Sequence, residues 1–464
     1  SGGLTLTKGN IGIGGSSSGS GKIVLGNTST IAADGTLDLG GALVLNAGLS
    51  VAGTLKTDNT TTLTLNNNAL NLSGGSASSG GLLEVKGALT LDGITFDDKT
   101  TIKLNADTLL TSANPITVKT IDMGTHSVGL GSGTTDMTIS DILTINPSDG
   151  DNGGFDTGTA DLTLNGQVIV SGGGIGSSGG TITFGAGSGD TSFAAHTGMQ
   201  LVNSTLNLGV AVNMEWLSLT GGNSVLTTNG NTLTLNEGLE IGGGSELDLT
   251  NVATDNESEL SLAGDASITK TGDLVFGHLS IKGYKLTLNP NITSLTTNNI
   301  WLLNDWDSSD ANYMASTGEL LAQGVDVTLT KPLWVEKGKF KMGAGTLTLE
   351  QGGELGEGGE LDLTGSTLEL TGPFYNHKGK GTLTTSASTL SLKSNVKFEP
   401  GNDVTFNTYE PNGWGMVLHN DMDNGSRTHL TLGTGSDNIT LQPKSEALTS
   451  GFVNSYWNGT SYSG

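Results

Sequence analysis

One short phrase recurs through this chain, and it limits the possible folds more than any other feature. It reads Thr62-Leu63-Thr64-Leu65-Asn66, then Thr232-Leu233-Thr234-Leu235-Asn236, then Thr346-Leu347-Thr348-Leu349-Glu350. Shorter versions fill the intervals, among them Leu37-Asp38-Leu39, Glu246-Leu247-Asp248-Leu249 and Thr367-Leu368-Glu369-Leu370. Period-two alternation puts the leucines on one face of an extended strand and Thr, Asp, Glu or Ser on the other. Gly, Asn or Asp then closes most copies, residue types that tolerate the positive φ of tight turns. A single strand repeated along a chain is the pattern of a solenoid, in which each unit buries its apolar face against its neighbours.

Between Leu37 and Leu91 successive strands arrive roughly six to nine residues apart. Two or three of them with their turns make a coil of roughly 20 residues. About 20 such coils, stacked as parallel strands at about 4.8 Å, would form a rod of roughly 100 Å. Short hairpins of an antiparallel sandwich are the competing arrangement. The strands are too short for a sandwich, and no Asn-Gly hairpin series accompanies them. Stacked coils also place like over like, so Asn ladders and Thr columns are expected on the outside.

Composition agrees with a narrow core. Glycine reaches 74 of 464 residues with only 8 prolines, and apolar residues make up 34%. Disorder would account for so much Gly, Ser, Thr and Asn, but not for regularly spaced leucines. The glycine-rich runs Gly12 to Gly19 and Ser171 to Gly180 read as loops bulging from the stack. Neither ends in the Lys-Ser/Thr of a phosphate loop. The fold expected is therefore all-β, a parallel β-helix (β-solenoid) of right-handed coil.

Two segments break the pattern. An acidic, aromatic insertion lies near 301–314 and contains Trp301, Asp305, Trp306 and Asp307. From residue 398 to 464 aromatics gather, including Trp414, Tyr456 and Trp457. The division expected is a solenoid over 1–397 and a C-terminal cap or subunit-junction segment over 398–464. Solenoid ends must be capped or docked because open strand edges invite association. Trp301, Trp306, Trp414, Tyr456 and Trp457 are accordingly the candidate binding or assembly residues.

Charge narrows the partners. There are 45 acidic residues against 20 basic ones, a net of −25, with Arg427 the single arginine. Nucleic acid is excluded as a partner, since phosphate binding needs clustered Lys and Arg. There is no cysteine, hence no disulfide, thiolate nucleophile or Cys-based zinc site. No run of 18 apolar residues marks a transmembrane helix. Beginning at Ser1 rather than Met, the chain reads as a processed form or an excised piece.

Calcium is the cofactor that the motifs suit. Asp149 and Asp151, Asp305 and Asp307, and Asp421 and Asp423 each place carboxylates at alternate positions of a polar loop, as oxygen coordination of a hard cation requires. None completes the twelve-residue calcium loop. Catalytic signals are weaker still. Asp97-Asp98 is the one adjacent Asp pair, and the six histidines show no ligand spacing. Arg427 beside Asp421 and Asp423 is the one constellation resembling a polysaccharide lyase site. The reading is of a chain that is not an enzyme.

The units Gly35-Thr36-Leu37-Asp38-Leu39-Gly40 and Gly345-Thr346-Leu347-Thr348-Leu349 resemble the repeats of bacterial autotransporter passengers and filamentous-haemagglutinin-type surface proteins. That resemblance runs from about Leu4 to Lys397. It implies a right-handed parallel β-helix, secretion to the extracellular space or cell surface, and an adhesive or structural role. A rod that polymerises end to end into filaments, with copies of itself, a carbohydrate or a host surface receptor as partners, is the function expected. A calcium-dependent β-helix that binds or cleaves polysaccharide is the alternative.

Overall fold

The computed structural model describes residues 5–6, 9–14, 22–25, 27–40, 42–45, 47, 49–57, 63–64, 70–71, 82–85, 89–90, 100–146, 154–188, 191–302, 318–376, 381–418, 429–433, 456–457 and 461–463. Among them every regular element is a β-strand and no helix occurs, so none is long and apolar enough to cross a membrane. Strands pair in parallel with the strand one coil further on, which makes the chain a β-solenoid. Two compact units share it, one over Ser1–Asn236 with Asn251–Ala253, the other over Glu237–Thr250 with Thr254–Gly464.

In the first unit a sheet of thirteen described strands carries the core. Leu37, Leu55, Leu83, Ile102, Ile121 and Leu143 are successive lateral partners. None is more than 1% exposed. The outward column beside them alternates in charge: Asp38, Lys56, Glu84, Lys103, Asp122. Lys56 Nζ reaches Glu84 at 3.3 Å.

The second unit shows the coil most plainly. One coil is Thr346–Leu349, Gly353–Leu355 and Gly359–Asp362, and the next is Thr367–Leu370, Phe374–Asn376 and Thr382–Thr384. Each strand pairs only with its counterpart, so three parallel sheets form a three-sided coil. Leu347 lies beside Leu368 and Leu368 beside Leu390, steps of 21 and 22 residues. Both leucines of each phrase point inward: Leu347, Leu349, Leu368, Leu370, Leu390 and Leu392 are all 0% exposed. On the Gly353–Leu355 side the column becomes aromatic, with Phe374 stacked on Phe398 at 5.6 Å, and Phe406 from a strand of another sheet lies edge-on to Phe398 at 6.1 Å.

Parallel pairing runs past residue 397. Val396–Glu399 pairs with Met416–Leu418, and Val404–Phe406 with His429–Leu432. Antiparallel pairing among the described residues is confined to Ser461–Ser463, which lies between His429–Leu432 and Tyr456–Trp457.

Outward side chains tie neighbouring coils together. Lys285, Glu319, Lys339 and Glu360 follow one another up the second unit as a ladder of alternating sign. Lys285–Glu319 closes at 3.7 Å, Lys341–Glu319 at 3.1 Å and Lys339–Glu360 at 3.0 Å. The hydrogen bond and charge of Glu319 hold the Lys341 ammonium above its usual pKa. Aspartates do the same work on the backbone. The Oδ1 atoms of Asp107, Asp161, Asp265 and Asp326 accept the N–H of Ser127, Thr181, Lys285 and Thr346 at 2.7–2.9 Å, each 20 residues ahead. The expected asparagine ladders occur as short pairs, Asn229 on Asn207 at 2.6 Å and Asn236 on Asn213 at 3.1 Å.

Several corners are closed by Xaa-Gly turns. Lys282-Gly283, Gln323-Gly324 and Asn412-Gly413 all have positive φ at both residues. Bonds from Tyr284 to Ile281, Val325 to Ala322 and Trp414 to Pro411 close them. This turn is usually the signature of an antiparallel hairpin, whereas here it joins faces of a parallel coil. One expectation is corrected. The glycine-rich run Ser171 to Gly180 is not a loop throughout, because Gly174–Ser177 is a strand with Ile175 1% exposed. Gly174 is glycine because its coil edge touches the next one: an added Cβ would lie 2.6 Å from the carbonyl oxygen of Gly198. Likewise Gly9–Gly14 is a strand that pairs with Gly35–Gly40.

Candidate binding surfaces

Two places on the described surface depart from this self-pairing. The first lies in the first unit, a furrow of about 530 Å³ open to solvent. Its axis is the outward column Leu109, Gly129, Asp156, Gly176. Gly129 and Gly176 contribute no side chain, so the floor there is bare backbone, and Leu109, 49% exposed, forms a wall. Two carboxylates border it. Asp107 Oδ1 accepts the Ser127 N–H at 2.9 Å and lies 3.9 Å from His126 Nδ1. Asp156 Oδ1 accepts the Gly158 N–H at 2.9 Å. Each carboxylate therefore has one oxygen committed to backbone. A furrow this open removes little water from a ligand, and its capacity for tight binding is small.

The second place is a line of aromatic side chains on the second unit. Trp301 ends the strand Ile292–Trp301, and Trp334 is the middle of Leu333–Val335. These strands lie against each other. Backbone bonds join the two segments, from Thr330 N–H to the Thr297 carbonyl at 3.1 Å and from Lys331 N–H to the Asn298 carbonyl at 3.2 Å. Ile300 and Leu302 point inward at 2% exposure around Trp301, as Leu333 and Val335 do at 0% around Trp334. Alternation thus turns both indoles outward on consecutive coils, Trp301 44% and Trp334 62% exposed. The outward column continues from Trp334 to Glu354 and Tyr375.

Polar groups flank the line. The His278 ring is tilted against Trp301 with centroids 5.5 Å apart. Asn299 Nδ2 lies 3.3 Å from His278 Nδ1. Asn298 bridges two coils, donating to the Asn256 carbonyl at 3.1 Å and accepting from Thr330 Oγ1 at 2.5 Å. The turn below is fastened by Asp255, whose Oδ1 accepts the N–H of Glu257 at 2.9 Å and of Ser258 at 3.0 Å. Those bonds, the Glu257 one foremost, hold its carboxyl below the usual range against the opposing effect of burial.

Of the residues singled out in the sequence, Trp301 lies in this line. Trp414 is 46% exposed, but it stands on the separate corner turn Pro411–Trp414. Tyr456 and Trp457 pair through their backbones with Ser463 and Tyr462, and their side chains lie outside the described residues. Trp306, Asp149, Asp151, Asp305, Asp307, Asp421 and Asp423 also lie outside them. Among the described residues no three His, Asp or Glu side chains gather as metal ligands would. Trp334 and His278 were not foreseen. Pro332-Leu333-Trp334-Val335 carried the signal, a tryptophan in the polar place of an alternating strand. No protein-family model, curated protein or solved structure matches this chain.

Proposed function

We propose that this chain is a structural and adhesive β-solenoid that works at a cell surface or in the extracellular space. The observation that carries this reading is the use made of outward side chains. Lys–Glu ladders, aspartates on the next coil's N–H groups and asparagine pairs direct polar chemistry toward neighbouring coils. A chain built this way resists local opening, because each coil is held to the next through both backbone and side chains. The reading includes end-to-end assembly into filaments. A net charge of −25 favours dispersal of the sides, leaving contact to the ends and to specific patches.

Negative-stain imaging of the purified chain over a range of concentrations and calcium levels tests the assembly. Filaments that lengthen with concentration support it. Monomeric particles at every concentration, together with chelator-sensitive cleavage of a polysaccharide, would replace this reading with that of an enzyme.

A further inference from the structure

The geometry points to a carbohydrate-binding line at Trp301 and Trp334 whose ligand is an uncharged polysaccharide lying across successive coils. The inference rests on the adhesive reading above and names what the surface would hold. Outward positions of the neighbouring coils carry small or charged groups, as in Thr328, Thr348 and Glu369. Two indoles 44% and 62% exposed stand on consecutive coils, on strands that lie against each other.

The borders of the two indoles select the ligand. A protein partner is usually met by a contiguous apolar patch with a dry centre. Here the exposed rings are bordered by hydrogen-bonding groups, His278 and Asn299 beside Trp301 and Glu354 beside Trp334. A sugar ring has the matching shape, with an apolar C–H face to lie on an indole and hydroxyls at its edge for amide, imidazole and carboxylate. The coil step of about 4.8 Å is comparable to one pyranose unit of an extended chain. Charge decides between classes of polymer. With Glu354 next in the column and a net charge of −25, sulfated, uronate and phosphate polymers are repelled and neutral ones are not.

The test is affinity electrophoresis of the full chain through gels containing xyloglucan, galactomannan, hydroxyethyl cellulose or soluble mixed-linkage glucan, with heparin and polygalacturonate as charged probes. Retardation by at least one neutral polymer is expected, weakened about tenfold by Trp334→Ala and further by adding Trp301→Ala. Trp334→Tyr should keep part of the binding, and Tyr284→Ala, at an exposed aromatic on a corner turn, should leave it unchanged. Circular dichroism and urea midpoints identify any variant whose loss comes from unfolding, and Trp334→Tyr then serves in its place. Absence of retardation by every neutral polymer, retardation that survives the double substitution, or stronger retardation by the charged probes would each overturn the inference. Filaments that form but bind no glycan would end this inference and leave the structural reading standing; glycan binding by dispersed monomers would do the reverse.

Discussion

Phe398→Ala tests the aromatic column of the second unit. The side chain is 0% exposed and stands between two others, stacked on Phe374 at 5.6 Å and 24° and edge-on to Phe406 at 6.1 Å and 63°. Truncating a buried phenylalanine costs about 3–5 kcal/mol. Each aromatic pair adds about 0.5–1.5 kcal/mol beyond buried area. With two pairs lost, a value near 4 kcal/mol is expected, equivalent to about a thousandfold more frequent opening. In a solenoid the loss should stay close to the altered coil, since stability there is a sum of nearest-neighbour interfaces. Hydrogen exchange read by mass spectrometry is the assay. Protection should fall in peptides covering 367–376 and 389–406 and hold in those covering 326–341. A loss under about 1 kcal/mol, or an equal loss across all of these peptides, would refute the reasoning. Phe398→Leu should fall between the two.

Three further outcomes follow from particular contacts. Gly198→Ala places a Cβ 1.9 Å from the Trp216 carbonyl oxygen, a backbone atom that cannot turn aside; a loss of about 1–3 kcal/mol or more is expected in the urea midpoint. Glu319→Gln removes the partner of Lys285 and Lys341 from a half-exposed ladder, so denaturation should show a cost of about 0.2–1 kcal/mol that shrinks as salt is added. Asp255→Asn should destabilise the chain at neutral pH. The native carboxyl has a lowered pKa, so its contribution is present above the unfolded value of about 4 and disappears as pH falls through the folded value; urea midpoints of the two proteins should therefore converge in acid.

The alternation of Leu347, Leu349, Leu368 and Leu370 made the inward face legible, because period two assigns each side chain to a face without knowledge of the partner strand. Coil length was legible for the same reason. The three-sided coil was less so, since turns such as Gln323-Gly324 fit hairpins and corners equally. Ser171 to Gly180 misled because glycine signals freedom in sequence, while at Gly174 it answers a close approach of two coils. The structural use of Asp107, Asp161, Asp265 and Asp326 was hidden, as their partners stand 20 residues away and depend on register. Trp334 lies within a repeat, where alternation marks its place as outward but does not set it apart from any other outward residue.

The central claim is the parallel register of successive coils, and a chain without cysteine allows it to be tested by a single engineered disulfide. Thr348 and Glu369 are lateral partners, and their side chains meet at 3.3 Å. Parallel neighbours about 4.8 Å apart fall within the Cα separation of about 4.4–6.8 Å that a disulfide spans. Thr348→Cys with Glu369→Cys should therefore close an intramolecular bond under mild oxidation, seen as a linked peptide pair by mass spectrometry. Thr346→Cys with Glu369→Cys, displaced by two residues to roughly 8 Å, should not close. Equal closure of the displaced pair, or linkage only between molecules, would contradict the fold on which the account stands.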